Sequence, residues 1–264
     1  MKLRIGIFDS GIGGFTILKS LLKTRKDVAV FYLADTKRIP YGNKNFHEIR
    51  TIAKEICDWF EDKNLDALLI ACNTTNACAL DVLQDNLKIP CFDLINSVSD
   101  VIKTKTIGVL ATPTTVKSSY YESAISYKKV NLKIFQQECP EFVYEIERKK
   151  LNLEKINFLS GVYLRPLLKK NIQELILGCS HYPLIYDVLR DKVESNIKII
   201  DPSLSLVNKF NEYFPIPKNH CCDCISYDEV KFFVTAKSEE FSQKLKYWLE
   251  INKEINLVNL RSND

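Results

Sequence analysis

Apolar positions along this chain fall into two alternating patterns. Short, nearly continuous runs at 3–8 (LRIGIF), 28–33 (VAVFYL), 66–71 (DALLIA) and 89–94 (IPCFDL) read as strands buried on both faces. Between them, FTILKSLLK (15–23), a segment at about 46–62 and TNACALDVLQDNL (75–87) space their apolar residues as amphipathic helices do. Strand, helix, strand, helix is the signature of a parallel sheet covered by helices, in which ligands bind at the carboxyl ends of the strands.

The pattern then begins again. KTIGVL (105–110), QELILG (173–178) and IKIID (197–201) read as strands, with HYPLIYDVLRDKV (181–193) as a helix before the last. The segment from Ile5 resembles the one from Ile107, and LLIACNTTNACALDVLQDNLKIPCFD resembles LILGCSHYPLIYDVLRDKVESNIKIID. Cys72 stands 67 residues after Ile5 and Cys179 stands 72 after Ile107; Asp93 follows Cys72 by 21 and Asp201 follows Cys179 by 22. A weak internal repeat thus carries a cysteine at the same place in each half. A further strand, EVKFFVTA (229–236), and a helix, SEEFSQKLKYWLEINK (238–253), have no partner in the repeat and could return to the first half. The expected fold is α/β: two pseudo-symmetric, doubly wound parallel-sheet domains with the active site in the cleft between them. The first spans 1–97 plus 207–264 and the second 98–206.

Composition narrows the class. The chain has 264 residues, 46% apolar and 27% charged, with a net charge of +4 that no stretch concentrates beside aromatics, so no nucleic-acid partner is expected. No apolar run reaches membrane-spanning length, and residues 1–9 are too short for a signal peptide core, so a cytoplasmic protein with reduced thiols is expected. Most of the nine cysteines, including Cys57, Cys78, Cys91 and Cys139, read as small core hydrophobes. The run His220, Cys221, Cys222, Asp223, Cys224 has zinc-type ligands, yet adjacent cysteines seldom aim both sulfurs at one ion. It reads as a turn, and no metal is expected.

Cys72 and Cys179 differ from the other cysteines. Each ends a strand and is followed by polar residues opening a helix, where unpaired N–H groups favour negative charge. An ordinary thiol is about 3% ionised at pH 7, and lowering its pKa by one unit raises that to about a quarter. His181 stands two residues after Cys179 as a proton partner. One nucleophile needs one such group, whereas two matched acid/base groups suit removal of a proton from one face of a carbon and its return to the other. Ser10, Asn73, Thr74, Thr75, Thr112, Thr115 and Ser180 offer donors for carboxylates, and Asp9 a counter-charge for an ammonium. DSGIGG (9–14) lacks the P-loop lysine and the G-x-G-x-x-G spacing, so its glycines read as a tight turn. Asp35 reads equally as a helix or turn cap.

Four ordered motifs, GIFDSGIGGFTIL, ADTKRIPYG, ACNTTNA and LGCSHYPLI, resemble those of the glutamate racemases within the aspartate/glutamate racemase superfamily, and the resemblance covers essentially the whole chain. It implies a racemase that needs no cofactor, acts on glutamate as a small-molecule substrate, supplies D-glutamate for peptidoglycan and commonly forms a homodimer. Position by position, it implies Cys72 and Cys179 as the acid/base pair. Asp9, Ser10, Tyr41, Gly42, Asn73, Thr74, Ser180 and His181 match substrate-binding positions. Asp9, His181 and Glu147 are implied to assist proton transfer. The sequence departs from the family at Thr75, usually a small residue, at Ser180, usually threonine, and at Tyr144, usually proline. Two rival readings stay open: a related racemase acting on aspartate or a similar acid, and a non-enzymatic amino-acid-binding protein.

Overall fold

The computed structural model describes residues 2–129, 131–217 and 225–260, so the 220–224 run lies outside the described residues. Among the described residues ten strands form two wholly parallel sheets. The larger contains β1 (Leu3–Asp9), β2 (Val28–Ala34), β3 (Ala67–Ile70) and β4 (Cys91–Asp93). The smaller contains β5 (Thr106–Ala111), β6 (Lys133–Glu138), β7 (Glu174–Gly178) and β8 (Lys198–Ile200). β9 (Val230–Val234) and β10 (Ile255–Leu257) return to the larger sheet, whose order is β10-β9-β2-β1-β3-β4. The smaller sheet runs β6-β5-β7-β8, which repeats the inner order β2-β1-β3-β4 strand for strand.

The repeat extends to individual residues. Ile5 of β1 pairs with Ala67 of β3, and Cys72 lies five residues beyond Ala67. Ile107 of β5 pairs with Glu174 of β7, and Cys179 lies five residues beyond Glu174. The two thiols therefore leave equivalent strands at equivalent heights. Asp93 and Asp201 are equivalent as well. Asp93 ends β4 and Asp201 directly follows β8, and each accepts a hydrogen bond as N-cap of the next helix, Asp93 from the Asn96 N–H at 2.8 Å and Asp201 from the Ser203 N–H at 2.8 Å. Burial pushes both carboxyls above the ordinary aspartate range.

The inner strands are buried on both faces because helices cover both: Ala67–Ile70 and Glu174–Gly178 are buried throughout. Helix Phe46–Glu61 opens with a capping box in which Asn45 and Glu48 satisfy each other's backbone N–H groups. It packs on helix Asn73–Asn86, to which Arg50 ties it through a paired contact with Asp81. Helix Pro202–Tyr213 lies against Phe15–Thr24 and Leu94–Val98, and one apolar cluster runs from β1 and β2 through Leu94, Leu206 and Phe210 to β7. The sheets thus share a core and are held with the carboxyl ends of β1, β3, β5 and β7 around a common space.

One expected element is different. The segment after Cys179 is a 3-10 turn, Tyr182–Ile185, followed by a short helix, Tyr186–Arg190. Pro183 supplies no N–H, and the chain turns tightly before helical bonding can begin. Among the described residues no helix is long and apolar enough to cross a membrane.

Candidate active site

The turn after β1 is the floor of the common space. Asp9 is fully buried; its Oδ1 accepts the Gly11 N–H at 2.8 Å and its Oδ2 accepts the Ser180 hydroxyl at 2.9 Å. That second bond joins the end of the first sheet to the residue beside Cys179. Gly11 and Gly13 serve this closure rather than a left-handed turn, since no glycine has positive φ. A Cβ on Gly13 would stand 2.2 Å from Ser180 Oγ and 2.6 Å from His181 Nδ1, and one on Gly11 would stand 2.1 Å from Glu147 Oε1. The second half presses on backbone here, and only glycine leaves room.

Cys179 and His181 form one side. Cys179 Sγ lies 3.9 Å from His181 Nδ1, and His181 Nε2 lies 2.7 Å from Glu147 Oε1. Glu147, at the end of helix Phe142–Ile146, also accepts the Ile12 N–H at 3.1 Å and pairs with Lys244. Burial opposes its ionisation, but His181 and Lys244 overcome this and hold its carboxyl down at about 2. Burial likewise opposes charge on His181, yet its contacts with Cys179 and Glu147 lift it well above the ordinary range, so an ionised Glu147 faces an imidazolium at neutral pH. Nε2 then carries its proton toward the carboxylate, and Nδ1 turns a positive N–H toward the sulfur.

Cys72 lies on the other side, 4% exposed, as N-cap of helix Asn73–Asn86. That location alone suggests a lowered pKa. The structure shows the reverse: burial, and next the charge of Asp9, push the thiol up to about 12, although hydrogen bonds from Thr75 oppose the shift. Cys72 is therefore a neutral thiol at neutral pH, disfavoured as thiolate by roughly 4 kcal/mol relative to an ordinary cysteine. Cys57, Cys78 and Cys91 are also pushed up to about 12 by burial, and these three, like Cys139, are free thiols.

Around Cys72 the polar groups come from both halves. Thr74 Oγ1 is 3.0 Å from Thr112 Oγ1 and 3.3 Å from Thr115 Oγ1, and the latter two are 2.9 Å apart. The Tyr121 hydroxyl donates to Asn73 Oδ1 at 2.7 Å, while the buried Asn73 amide nitrogen has no partner. An unmet donor of this kind beside a buried thiol is what a carboxylate ligand requires. Ser10 is buried in the same turn as Asp9. Gly42 packs against Thr112, where an added Cβ would stand 2.4 Å from Thr112 Cβ, and its carbonyl accepts the Thr114 hydroxyl at 2.8 Å. The buried Tyr41 hydroxyl is held by Asp35, which also takes Arg38 and Thr235, so Asp35 organises a network rather than capping a helix. Tyr144 is half exposed, and its hydroxyl takes the Asn43 amide at 3.1 Å. Sequence reasoning missed Tyr121 and Lys244, since no local pattern marks either residue. Among the described residues no group of three or more His, Cys, Asp or Glu side chains is placed to hold a metal ion.

Two thiols at equivalent strand ends, one facing a histidine held by a carboxylate and the other beside an unmet amide donor, make a site suited to a small anionic molecule. The sequence model of the Asp/Glu/Hydantoin racemase family matches residues 16–210, and the chain belongs to that family. Within it, the chain is 46% identical to the glutamate racemase of Prochlorococcus marinus (strain NATL1A) over 98% of each chain, and 35% identical to that of Synechococcus sp. (strain CC9605) over 96% of each. Among solved structures, glutamate racemase from Francisella tularensis in complex with D-glutamate superposes with a TM-score of 0.87 at 32% identity, covering 98% of each chain. An aspartate racemase from Picrophilus torridus superposes with a TM-score of 0.60 at 19% identity over 81% of this chain, a likeness of fold.

Proposed function

We propose that the protein interconverts L- and D-glutamate by a two-base mechanism needing no cofactor, and so supplies D-glutamate for peptidoglycan in the bacterial cytoplasm. The observation that carries the reading is the register-equivalent cysteine pair, one member on each sheet. Cys179, whose sulfur lies 3.9 Å from His181 Nδ1, is the group placed to act as base; Cys72, neutral until engaged, is placed to act as acid. The Cys179 thiolate takes the α-proton, the electron pair passes to the carbon, and the Cys72 thiol delivers its proton to the opposite face. One C–H bond breaks and one forms. Each sulfur finishes in the other's starting state, ready for the opposite enantiomer.

The remaining residues divide the work of holding the substrate. Asp9 faces the ammonium, and the positive charge placed there offsets the Asp9 charge that discourages ionisation of Cys72. The Asn73 amide, with Ser10, Thr74, Thr75, Thr112 and Thr115, serves the carboxylates; Ser180 and His181 close the other side, and Tyr41 and Gly42 form the wall against Thr112. Glu147 keeps His181 charged and oriented. The corresponding division of the chain groups residues 1–97 with 207–264 against 98–206, the helix Pro202–Tyr213 crossing between the units. A homodimer is the assembly implied by the resemblance.

Circular dichroism tests the reading. Solutions of L-glutamate and of D-glutamate should each decay to zero signal with the purified protein alone, whereas aspartate should not. Loss of signal from aspartate in preference to glutamate would transfer the protein to the sister activity. Glutamate binding without decay would make it a binding protein.

A further inference from the structure

The C-terminal helix, Ser238–Leu249, lies outside the internal repeat, yet it reaches the acid/base machinery. Phe241 anchors it on the first sheet, its ring 5.4 Å from Phe15 and 6.2 Å from Tyr32 and Phe232, and Leu245 and Leu249 bury beside it. Three residues after Phe241, Lys244 projects to Glu147 Oε2, while Oε1 of the same carboxylate serves His181 and the Ile12 N–H. Glu147 belongs to the second unit of the chain, and two of its three partners, Ile12 and Lys244, lie outside that unit. Other charged groups near this contact are committed elsewhere: Arg148 pairs with Glu145 at 2.7 Å and Lys237 with Glu240 at 3.9 Å. The Tyr32 hydroxyl, from β2, senses the charges of both Glu147 and Asp9 and is engaged with the Gly11 carbonyl, while Asp9 is engaged with Ser180. Lys244 and Glu147 line a cavity of about 300 Å³, so without the ammonium the carboxylate's outer oxygen would face water.

On the functional reading above, we propose that Lys244 is a positioning residue: its ammonium fixes Glu147 so that the carboxylate presents Oε1 to His181, coupling the seating of the C-terminal helix to proton transfer at Cys179. Lys244 touches neither sulfur. It acts through two side chains, and its effect should appear in kcat more than in KM. Because the two enantiomers are equal in free energy, kcat/KM must fall by the same factor in both directions.

The test combines kinetics with a titration that needs no turnover. Lys244→Met should lower kcat/KM by roughly 10- to 100-fold, the scale expected when a proton-transfer group loses its alignment by a fraction of an ångström. It should also move the acid limb of the pH profile upward, because Glu147 loses one of the two cations that keep it ionised. Lys244→Arg should restore both. In a Glu147→Gln background, Lys244→Met should add little; losses that multiply would overturn the coupling. In the unliganded protein, the His181 imidazole, one of three histidines, should titrate at higher pH in Lys244→Met than in wild type, because the carboxylate then serves one cation. An unchanged His181 titration together with a wild-type rate would refute the proposal alone. A shifted His181 titration in a protein that never racemises glutamate would instead sink the functional reading and leave the positioning role standing.

Discussion

Gly13→Ala adds one methyl group at the point where the two halves meet. Its Cβ would fall 2.2 Å from Ser180 Oγ, 2.6 Å from His181 Nδ1 and 2.7 Å from Ser180 Cβ. Ordinary contact needs about 3.4 Å or more, so the turn carrying Cys179 must retreat by roughly 1 Å. That displacement breaks the 2.9 Å bond from Ser180 to Asp9 and strains the 2.7 Å contact of His181 with Glu147. Overpacking of this kind costs about 1–3 kcal/mol, and 1 Å of misplacement about 100-fold in rate. Gly161 supplies the control: it lies inside helix Leu153–Leu168, and nothing stands within 4 Å of an added Cβ. Gly161→Ala should leave the rate unchanged and stabilise the fold by about 0.5–1 kcal/mol through reduced unfolded-state freedom. The assay is urea unfolding and racemisation of glutamate for both variants. The same chemical change should give opposite signs at the two positions. If Gly13→Ala keeps a rate within twofold of wild type, the tight closure described here is wrong.

Two further outcomes follow from groups outside the site. Asp93 caps its helix at a desolvation cost, and its raised pKa means that its share of stability is full below the ordinary aspartate value and is lost as pH rises through the folded-state value. Asp93→Asn, which retains an acceptor, should therefore equal or exceed wild-type stability at pH 7 and fall behind it as the pH approaches 4, as read by urea unfolding at both values. Arg25, 2% exposed, makes a paired contact with Asp27 at 2.7 and 2.6 Å and donates to the Phe214 carbonyl, joining the end of helix Phe15–Thr24 to the end of helix Pro202–Tyr213. Arg25→Met should cost about 3 kcal/mol and lower Tm by roughly 6–12 °C without changing the rate at 25 °C.

The strands that carry the site were legible because both of their faces are buried. VAVFYL, DALLIA and QELILG are largely apolar runs, and β2, β3 and β7 match them to within a residue or two at either end. β6, KIFQQE, is an edge strand with no fully buried residue, so its sequence carries no such run, and the sequence reading passed over it. Helix Leu153–Leu168 and the edge strand β10 were missed too. The cysteines could be located by the repeat, but their electrostatics could not. A helix N-terminus is visible in sequence, whereas the burial and the Asp9 charge that raise Cys72 depend on residues from both ends of the fold. The glycines of DSGIGG show the same limit. The reason for Gly11 and Gly13 is Glu147, Ser180 and His181 pressing from the other half, more than 130 residues away. Lys244 lies further still, on a helix whose apolar face was legible but whose one inward-reaching cation was not.

The central claim is that opposite faces of one carbon are served by different sulfurs, and isotope placement at early turnover reads this directly. Starting from L-glutamate in heavy water, the first D-glutamate formed should carry deuterium at Cα while the remaining L-glutamate keeps its protium, with the mirror result from D-glutamate. Deuterium entering both enantiomers equally from the outset, or product that retains the original proton, would mean that a single group handles both faces and that the cysteine pair is not the engine of the reaction.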